Sequence, residues 1–200
     1  MIKLPSVTII CIDCVNHSQA YRALKKSIEK IEFKQVLFIT DKLMLDPDGI
    51  IDIITIAPIT SKEEYSYFML NRLNDYIHTH HCLVIQYDGY VINPNLWDDY
   101  FLNYDYIGAP WWYTDYNVGN GGFSLRSKVL LAACQSEDFK DFHPEDDRIC
   151  RGNRRLLESK YNIKYAPDFI AEKFSFEPNN LHPVFNNRTF GFHGIPGFIL

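Results

Sequence analysis

The chain has 200 residues, of which 46% are hydrophobic and 22% charged, a composition typical of a soluble globular protein. Its formal net charge of −5 provides no basic surface, which argues against a nucleic-acid partner. No apolar run is long enough to cross a bilayer, and the N-terminus lacks the apolar core and cleavage site of a signal peptide. We therefore expect a cytoplasmic protein, for which peripheral association with a membrane stays open.

Strand and helix patterns alternate along the first half of the chain. Aliphatic and β-branched runs predict buried strands. An amphipathic pattern predicts the first helix, and a capping box at Ser61 and Glu64 predicts the start of the second, with Tyr65 on its inward face. Ser127 is the predicted cap of a later helix. In chain order we predict a strand at 7–12, a helix at 20–31, a strand at 36–41, a turn at 46–49, a strand at 50–56, a helix at 61–77 and a strand at 82–88. This order predicts one α/β domain with a largely parallel, doubly wound sheet and helices on both faces.

Three of the predicted strands lead into an aspartate: Asp13, Asp41 and Asp88. The carboxyl ends of parallel strands meet at one edge of a sheet, where ligands bind in open α/β folds. A carboxylate at that edge can hold a divalent cation that bridges a diphosphate. The alternative for each is an ordinary turn, since Asp is common in such loops.

The second half of the chain has shorter predicted elements. In chain order we predict a short helix at 94–101, a short strand running into an aromatic loop at 104–112, a strand at 123–125, a helix at 128–134, a helix from 144 to 161 and a β-hairpin or edge segment at 166–177. Too little chain follows residue 94 for an independent core, so we treat residues 91–200 as part of the same domain.

A glycine-rich loop at 119–122 precedes the predicted strand at 123–125. Gly121 and Gly122 would allow the backbone to pass very close to a ligand. The loop does not end in Gly-Lys-Ser/Thr, and no G-x-G-x-x-G follows the first strand. The sequence therefore supports neither a Walker loop nor a dinucleotide-binding fold.

Three consecutive carboxylates, Glu145, Asp146 and Asp147, follow a proline at a predicted helix start. Acidic residues in a first turn are favoured by the helix dipole, which is the structural interpretation. The functional interpretation is a general base that accepts a proton from a hydroxyl. Near the C-terminus, His193 lies in the segment Phe190-Gly191-Phe192-His193-Gly194 and is either a free loop histidine or a metal ligand.

Taken together, these segments resemble glycosyltransferases of the GT-A fold. More narrowly, they are similar to a little-characterised family of bacterial and eukaryotic transferases. The resemblance rests on a Q-x-D strand end at Gln86 to Asp88, on DYIGAPW at 105–111, on GNGGFSLR at 119–126 and on a Glu-Asp step at 145–146. It covers roughly residues 7–193 and implies a nucleotide-sugar-binding half at 1–90 and an acceptor and catalytic half at 91–200.

The resemblance implies that Mn²⁺ or Mg²⁺ carries the diphosphate of a nucleotide-sugar, with Asp88 and His193 as the metal ligands. Gln86 stands where these enzymes usually carry the first Asp of an Asp-x-Asp element, a departure that puts metal affinity in doubt. One carboxylate, two phosphate oxygens, a histidine and waters can still complete an octahedral shell.

The remaining donor contacts implied by the resemblance are looser. Asp41 matches a carboxylate that recognises the imide of the uracil base, and Arg72 matches a helix arginine near the nucleotide. Asp13 would lie at the same strand edge, and Gly121 and Gly122 would lie beside the donor sugar.

For the reaction, the resemblance implies that Asp146 is the catalytic base and that Glu145 binds acceptor hydroxyls, with Asp147 as the fallback base. Trp111 and Trp112 could form a platform for an acceptor ring, and core packing is the alternative for both.

The function predicted from these features is an inverting, metal-dependent glycosyltransferase. It would move a sugar from a nucleotide-diphosphate donor, expected to be UDP-linked, to a glycan, lipid-linked or polysaccharide acceptor. The alternatives are a sugar nucleotidyltransferase and a non-catalytic nucleotide- or sugar-binding module with the same fold. A nucleotidyltransferase would require a basic glycine-rich loop after the first strand, and residues 13–18 do not form such a loop.

Overall fold

A six-stranded sheet forms the centre of the molecule, seen in a computed structural model that describes residues 1–178 and 187–195. The strands are ordered β3-β2-β1-β4-β8-β5. The first four in this order are parallel, whereas β8 runs antiparallel to β4 and β5 runs antiparallel to β8. The six strands are β1 (Ile2–Ile12), β2 (Ile31–Thr40), β3 (Asp52–Thr55), β4 (His81–Ile85), β5 (Tyr106–Ile107) and β8 (Phe123–Ser127).

Both faces of the sheet are covered, which explains the continuous apolar runs in its inner strands. In β1, Ile9 and Cys11 face one hydrophobic cluster, while Ile10 and Ile12 face another on the opposite side. Both sets are buried because successive side chains of a strand point to opposite faces. The mixed, largely parallel α/β fold predicted from the sequence is thereby confirmed.

Helices pack on the two faces of this sheet. Leu24 of the first helix joins the cluster of Ile9, whereas Phe68 and Leu131 of two later helices join the cluster of Ile10. The helices are α1 (His17–Ile28), α2 (Lys62–Asn71), α3 (Leu73–Tyr76), α4 (Lys128–Cys134), α5 (Glu145–Asp147), α6 (Arg154–Tyr161) and α7 (Asp168–Phe174), with 3-10 turns at Pro94–Leu96 and Asp99–Asn103. None of the helices in the described ranges has both the length and the apolarity needed to cross a membrane.

Two helix starts follow the capping signals in the sequence. The Ser61 side chain accepts a hydrogen bond from the Glu64 amide at the start of α2, at 3.1 Å. Ser127 does the same for the Leu130 amide at the start of α4, at 3.0 Å. These bonds satisfy amides that have no partner within the helix, and they fix where each helix begins.

The prediction of a hairpin or edge segment at 166–177 was wrong for most of its length. Residues Asp168–Phe174 form α7, and the short strand β9 (Ser175–Phe176) follows. Ile170, Ala171 and Phe174 are buried at helical spacing, and Asp168 occupies the first turn after a proline. β9 pairs in parallel with β10 (Gly191–Phe192), which brings the region of His193 back to the sheet edge. A second small sheet pairs β6 (Ala109–Pro110) with β7 (Val118–Gly119).

The predicted helix from 144 to 161 is interrupted. It consists of α5, a π-helical segment at Arg148–Gly152 and α6. Helix α5 is only three residues long, so Glu145 and Asp146 are presented at a loop-like helix start beside α2 rather than on a long helix.

Candidate functional site

A cavity of about 450 Å³ opens at the carboxyl edge of the sheet, beyond the ends of β1 and β4. Because these strands are adjacent and parallel, the loops that follow them lie side by side. The start of α2 and the glycine-rich loop complete the walls. The polar side chains that line the cavity include those of Asp13, Asn16, Thr60, Ser61, Lys62, Tyr65, Ser66, Gln86, Tyr87, Asn120, His143, Glu145, Asp146, Glu177 and His193.

A histidine between two carboxylates lies at one wall of the cavity. His193 Nε2 is 3.4 Å from Asp88 Oδ1, and His193 Nδ1 is 3.2 Å from Glu177 Oε1. Burial disfavours the imidazolium, but interactions with Asp88 and Glu177 outweigh this and raise the pKa of His193 to about 9. The backbone at Gly89 lies so close to the backbone at Phe192 that a methyl group on Gly89 would collide with the Phe192 carbonyl.

Gln86 connects this cluster to α2. Its side-chain oxygen lies 3.0 Å from His193 Nε2, and its amide nitrogen donates to the Tyr65 hydroxyl at 3.0 Å. The residue that departs from the Asp-x-Asp pattern therefore contacts the same imidazole nitrogen as Asp88 does. Its amide can bridge a phenol and a histidine at once, whereas a carboxylate in its place could only accept hydrogen bonds.

The donor chemistry around His193 suits a hard divalent cation. Asp88 Oδ1 is buried, and among the described residues its only partner is the ion pair with His193 Nε2 at 3.4 Å, since no hydrogen bond to this oxygen forms. Carboxylate, amide oxygen and imidazole are ligands that Mn²⁺ accepts, and Mg²⁺ favours the oxygens. Within the described ranges, no group of three or more His, Cys, Asp or Glu side chains could hold a metal ion. Asp88, Gln86 and His193 thus offer part of a coordination shell for a divalent cation, and oxygens of a ligand or of water would have to complete it.

The glycine-rich loop packs directly against both ends of the site. A methyl group on Gly122 would overlap the His193 ring, and one on Gly121 would overlap a carboxylate oxygen of Glu145. Between the small sheet and these glycines, Asn120 adopts a left-handed backbone conformation with φ +66°. Only residues without a Cβ fit at 121 and 122, which explains the paired glycines.

Asp146 faces the cavity from the start of α5. Its Oδ2 accepts a hydrogen bond from the Gly121 amide at 3.0 Å, and its Oδ1 accepts one from the Asp147 amide at 2.9 Å. The side chain is half-buried and lines the cavity. Asp147 instead forms an ion pair with Arg148 and is not among the described residues that line the cavity.

Glu145 has a different environment from its neighbour. Its Oε1 forms an ion pair with the fully buried Arg126 at 3.0 Å, and Arg126 also donates to Ser124 Oγ at 2.9 Å. Burial raises the pKa of Glu145, and the guanidinium of Arg126 opposes that rise. One oxygen of Glu145 is thus committed to Arg126, and the other has no partner in the described part of the chain.

Two of the aspartates at the strand ends are engaged locally. Asp13 lines the cavity, while its Oδ1 accepts hydrogen bonds from the Val15 and Asn16 amides at 2.7 and 2.5 Å. Asp41 lies 2.6 Å from His17 Nε2, and this hydrogen bond lowers the pKa of Asp41. Asp41 is not among the described residues that line the cavity.

Three further predicted site residues lie away from the cavity. Arg72 follows the C-terminal end of α2 and pairs with Asp75 at 3.3 Å, about 15 Å along the helix from the end that reaches the cavity. The Trp111 ring packs on Gly119, and Trp112 is exposed and contacts Tyr113. Core packing is therefore the better interpretation for Trp111.

The structure also brings in residues that the sequence did not single out, chiefly Tyr65, Asn120, Arg126 and Glu177. Tyr65 lies on the predicted inward face of its helix, and Asn120 and Arg126 lie within the GNGGFSLR segment, so these three carried a signal. Glu177 follows a segment whose structure was mispredicted, and nothing in the sequence indicated its contact with His193.

The fold and the position of the cavity define a class: a GT-A-like glycosyltransferase fold, with its candidate site at the carboxyl edge of the sheet. Among solved structures, the galactosyltransferase LgtC with donor and acceptor sugar analogues matches with a TM-score of 0.54 and 15% identity, over 96% of this chain and 87% of that one. A glycosyltransferase involved in glycosylation of the major capsid of PBCV-1 matches with a TM-score of 0.50 and 13% identity, over 98% and 95%.

A mannosyltransferase from Pyrobaculum calidifontis, PcManGT in complex with GDP-Man and Mn²⁺, matches with a TM-score of 0.51 and 12% identity. The match covers 82% of this chain and 56% of that one, so the chain spans about half the length of that enzyme. By sequence, residues 51–193 match the family described as "Protein of unknown function (DUF5672)", and the chain belongs to this family. No curated protein matched the sequence.

Proposed function

We propose that this protein is an inverting, metal-dependent glycosyltransferase that uses a nucleotide-diphosphate sugar. The observation that carries the proposal is that His193 and Asp146 both contact one glycine-rich loop, while Asp88, which is not among the described residues that line the cavity, pairs with His193 behind its wall. The His193 ring packs against Gly122, and Asp146 accepts the amide of Gly121. A cation-binding wall and a proton acceptor therefore lie next to each other at one cavity.

Asp88 and His193 are the side chains that would hold Mn²⁺ or Mg²⁺, with the Gln86 oxygen beside them. When bound, the cation would offset the negative charge that develops on the leaving diphosphate. PcManGT binds GDP-Man with Mn²⁺, which supports a nucleotide-sugar and a divalent cation as the ligands. UDP-linked sugars are the first donors to test, and GDP-linked sugars are the second.

Asp146 would act as the base. Two backbone amides hold its carboxylate at the cavity, so its orientation is fixed before a ligand binds. As the acceptor oxygen bonds to the anomeric carbon, the bond from that carbon to the diphosphate breaks and the acceptor proton passes to Asp146. Attack from the face opposite the diphosphate inverts the anomeric centre.

The acceptor would be a hydroxyl of a glycan, such as a polysaccharide or a lipid-linked sugar. The exposed Trp112 is not among the described residues that line the cavity, and it offers a ring face to such a chain. Together with residues 1–90 as the donor half, this assigns the later part of the chain to acceptor binding and proton transfer.

The test is nucleotide release from a panel of UDP- and GDP-sugars with Mn²⁺, measured for the wild type, Asp146→Asn and Asp147→Asn. We expect the wild type to turn over at least one donor and Asp146→Asn to lose about 10²- to 10⁴-fold in kcat while its nucleotide affinity is unchanged. Asp147→Asn is the matched variant, since it makes the same change one residue further, on a side chain paired with Arg148.

Full activity of Asp146→Asn would remove Asp146 as the base, and a loss confined to Asp147→Asn would transfer that role. Nucleotide binding without turnover of any donor would instead identify a binding module that has the fold without the reaction.

A further inference from the structure

Asn120 is fixed in place by its backbone and by one end of its side chain. Its carbonyl oxygen accepts a hydrogen bond from the Tyr106 hydroxyl at 2.9 Å. Its Oδ1 accepts one from the Gly122 amide at 2.8 Å. The residue is 1% exposed and has φ +66°, a left-handed conformation that Asn tolerates better than most residues. Such over-determined backbone outliers concentrate at functional sites.

The other end of the side chain is free. Asn120 Nδ2 is buried and has no hydrogen-bond partner among the residues that the structure describes, although Asn120 lines the cavity. Buried polar groups are nearly always paired, so an unpaired donor on a rigid cavity residue indicates a missing acceptor. The Asn120 amide is oriented by its own oxygen, which leaves the two N–H groups for a ligand.

Glu145 supplies the complementary group beside Gly121. Its Oε1 is held by Arg126 at 3.0 Å, its side chain is 6% exposed and it lines the same cavity. Its Oε2 is buried and unpaired in the described ranges. An acceptor and a donor without partners therefore flank one glycine, at which any side chain would overlap Glu145.

From this arrangement we infer that Asn120 and Glu145 form a subsite for two hydroxyls of the donor sugar. A phosphate could accept from Asn120 but would be repelled by the Glu145 carboxylate, whereas a sugar hydroxyl both donates and accepts. One hydroxyl accepts from Asn120 Nδ2, and one donates to Glu145 Oε2. This inference rests on the proposed function, since it assigns the sugar part of the same donor, and it moves Glu145 from the acceptor role that the resemblance implies to the donor.

The test is calorimetric titration of UDP-glucose, UDP-galactose, UDP-N-acetylglucosamine and GDP-mannose, each against UDP or GDP alone, with Mn²⁺. Asn120→Asp keeps an oxygen for the Gly122 amide but removes the donor. We expect it to weaken the best nucleotide-sugar by about five- to tenfold and leave the parent nucleotide unchanged. The matched control is Asn162→Asp, the same substitution at an exposed left-handed asparagine in the C-cap of α6, which should change neither affinity.

Equal affinity of wild type and Asn120→Asp for the nucleotide-sugar, or equal weakening of sugar and parent nucleotide, would overturn the subsite. Wild type that binds no nucleotide and no nucleotide-sugar would overturn the proposed function as well. If Asn120→Asp does not fold, monodeoxy analogues of the best donor are titrated into the wild type. Loss of affinity at two sugar hydroxyls supports the subsite, and unchanged affinity at every position overturns it.

Discussion

At the scale of single residues, Gln86 replaces the first aspartate of the Asp-x-Asp pattern and makes contacts that an aspartate could not make in the same way. Its amide contacts both Tyr65 and His193, so it connects a helix to the candidate metal wall. An aspartate at this position would lose the bond to Tyr65 unless that hydroxyl turned to donate. The carboxylate chemistry at the wall is left to Asp88, with Glu177 on the far nitrogen of the same ring.

Asp46 is the residue for which the structure predicts a pH dependence. Its side chain accepts hydrogen bonds from the Tyr21 hydroxyl and from the Ile50 and Ile51 amides, the latter two at 2.7 and 2.9 Å. Burial alone would raise its pKa, but these bonds outweigh it and lower the pKa of Asp46 to about 2. The carboxylate therefore fastens residues 46–51 to helix α1.

Because the folded pKa of Asp46 lies below its unfolded value, its contribution is complete above about pH 5 and is lost as the pH falls towards 2. We expect Asp46→Asn to be less stable than the wild type by about 2 kcal/mol of unfolding free energy at about pH 6. At about pH 3 this difference between variant and wild type, the stability gap, should be smaller by about 1 kcal/mol. Urea unfolding at the two pH values measures this. Asp48→Asn, at a 60% exposed side chain paired with Lys25, is the control and should show a much smaller gap. A constant gap for Asp46→Asn would disprove the linkage.

At the scale of elements, the ion pair of Arg126 and Glu145 joins β8 to the start of α5. Arg126 is fully buried, and its guanidinium also donates to the Gly121 carbonyl at 3.3 Å. The strand, the glycine-rich loop and the short helix are thereby held as one unit, with Asp146 attached to it through the Gly121 amide.

We expect Arg126→Met to lose about 3–5 kcal/mol of unfolding free energy, because it leaves the Glu145 carboxylate buried without its cation. The double variant Arg126→Met/Glu145→Leu should recover more than half of that loss, since replacing both charges with apolar groups removes the unpaired charge. Chemical denaturation of both variants and the wild type tests this. A double variant that is less stable than Arg126→Met would show that the pair is not coupled in this way.

The elements differ in how far the sequence determines them. Continuous aliphatic runs predicted β1, β2 and β4, and the Ser61 and Ser127 signals predicted the starts of α2 and α4, because these depend on local physics. Helix α7 was missed although its apolar spacing is helical. Aromatic and β-branched residues allow both states, and the choice depends on packing against distant parts of the sheet.

The candidate site was predictable to a lesser degree. The convergence of Asp88 and His193 followed from the family resemblance, since the two residues lie 105 positions apart in the chain. A buried arginine in a central strand could not be predicted, because its burial depends on Glu145, which lies in a distant loop. Arg72 and Asp41 were placed by analogy, and neither is among the described residues that line the cavity.

At the scale of the whole molecule, one sheet edge gathers the chemistry of both halves of the chain. Strands β1 and β4 bring the acidic loops, and β8 together with the return of β10 brings the glycines and His193. The cavity at this edge is lined by Asp13, Gln86, Glu145, Asp146 and His193, with Asp88 paired to His193, whereas Asp41, Arg72, Asp147 and the two tryptophans are not among the described residues that line it.

The central claim is that a divalent cation and a nucleoside diphosphate bind this edge together, through Asp88. Calorimetric titration of UDP and GDP, with and without Mn²⁺, tests it most directly for the wild type, Asp88→Ala and the control Asp75→Ala, at an exposed side chain of α3 that pairs with Arg72. The account predicts that Mn²⁺ tightens nucleotide binding by at least about tenfold in the wild type and in Asp75→Ala, and that Asp88→Ala abolishes the gain. Equal nucleotide affinity with and without Mn²⁺ in the wild type would contradict it.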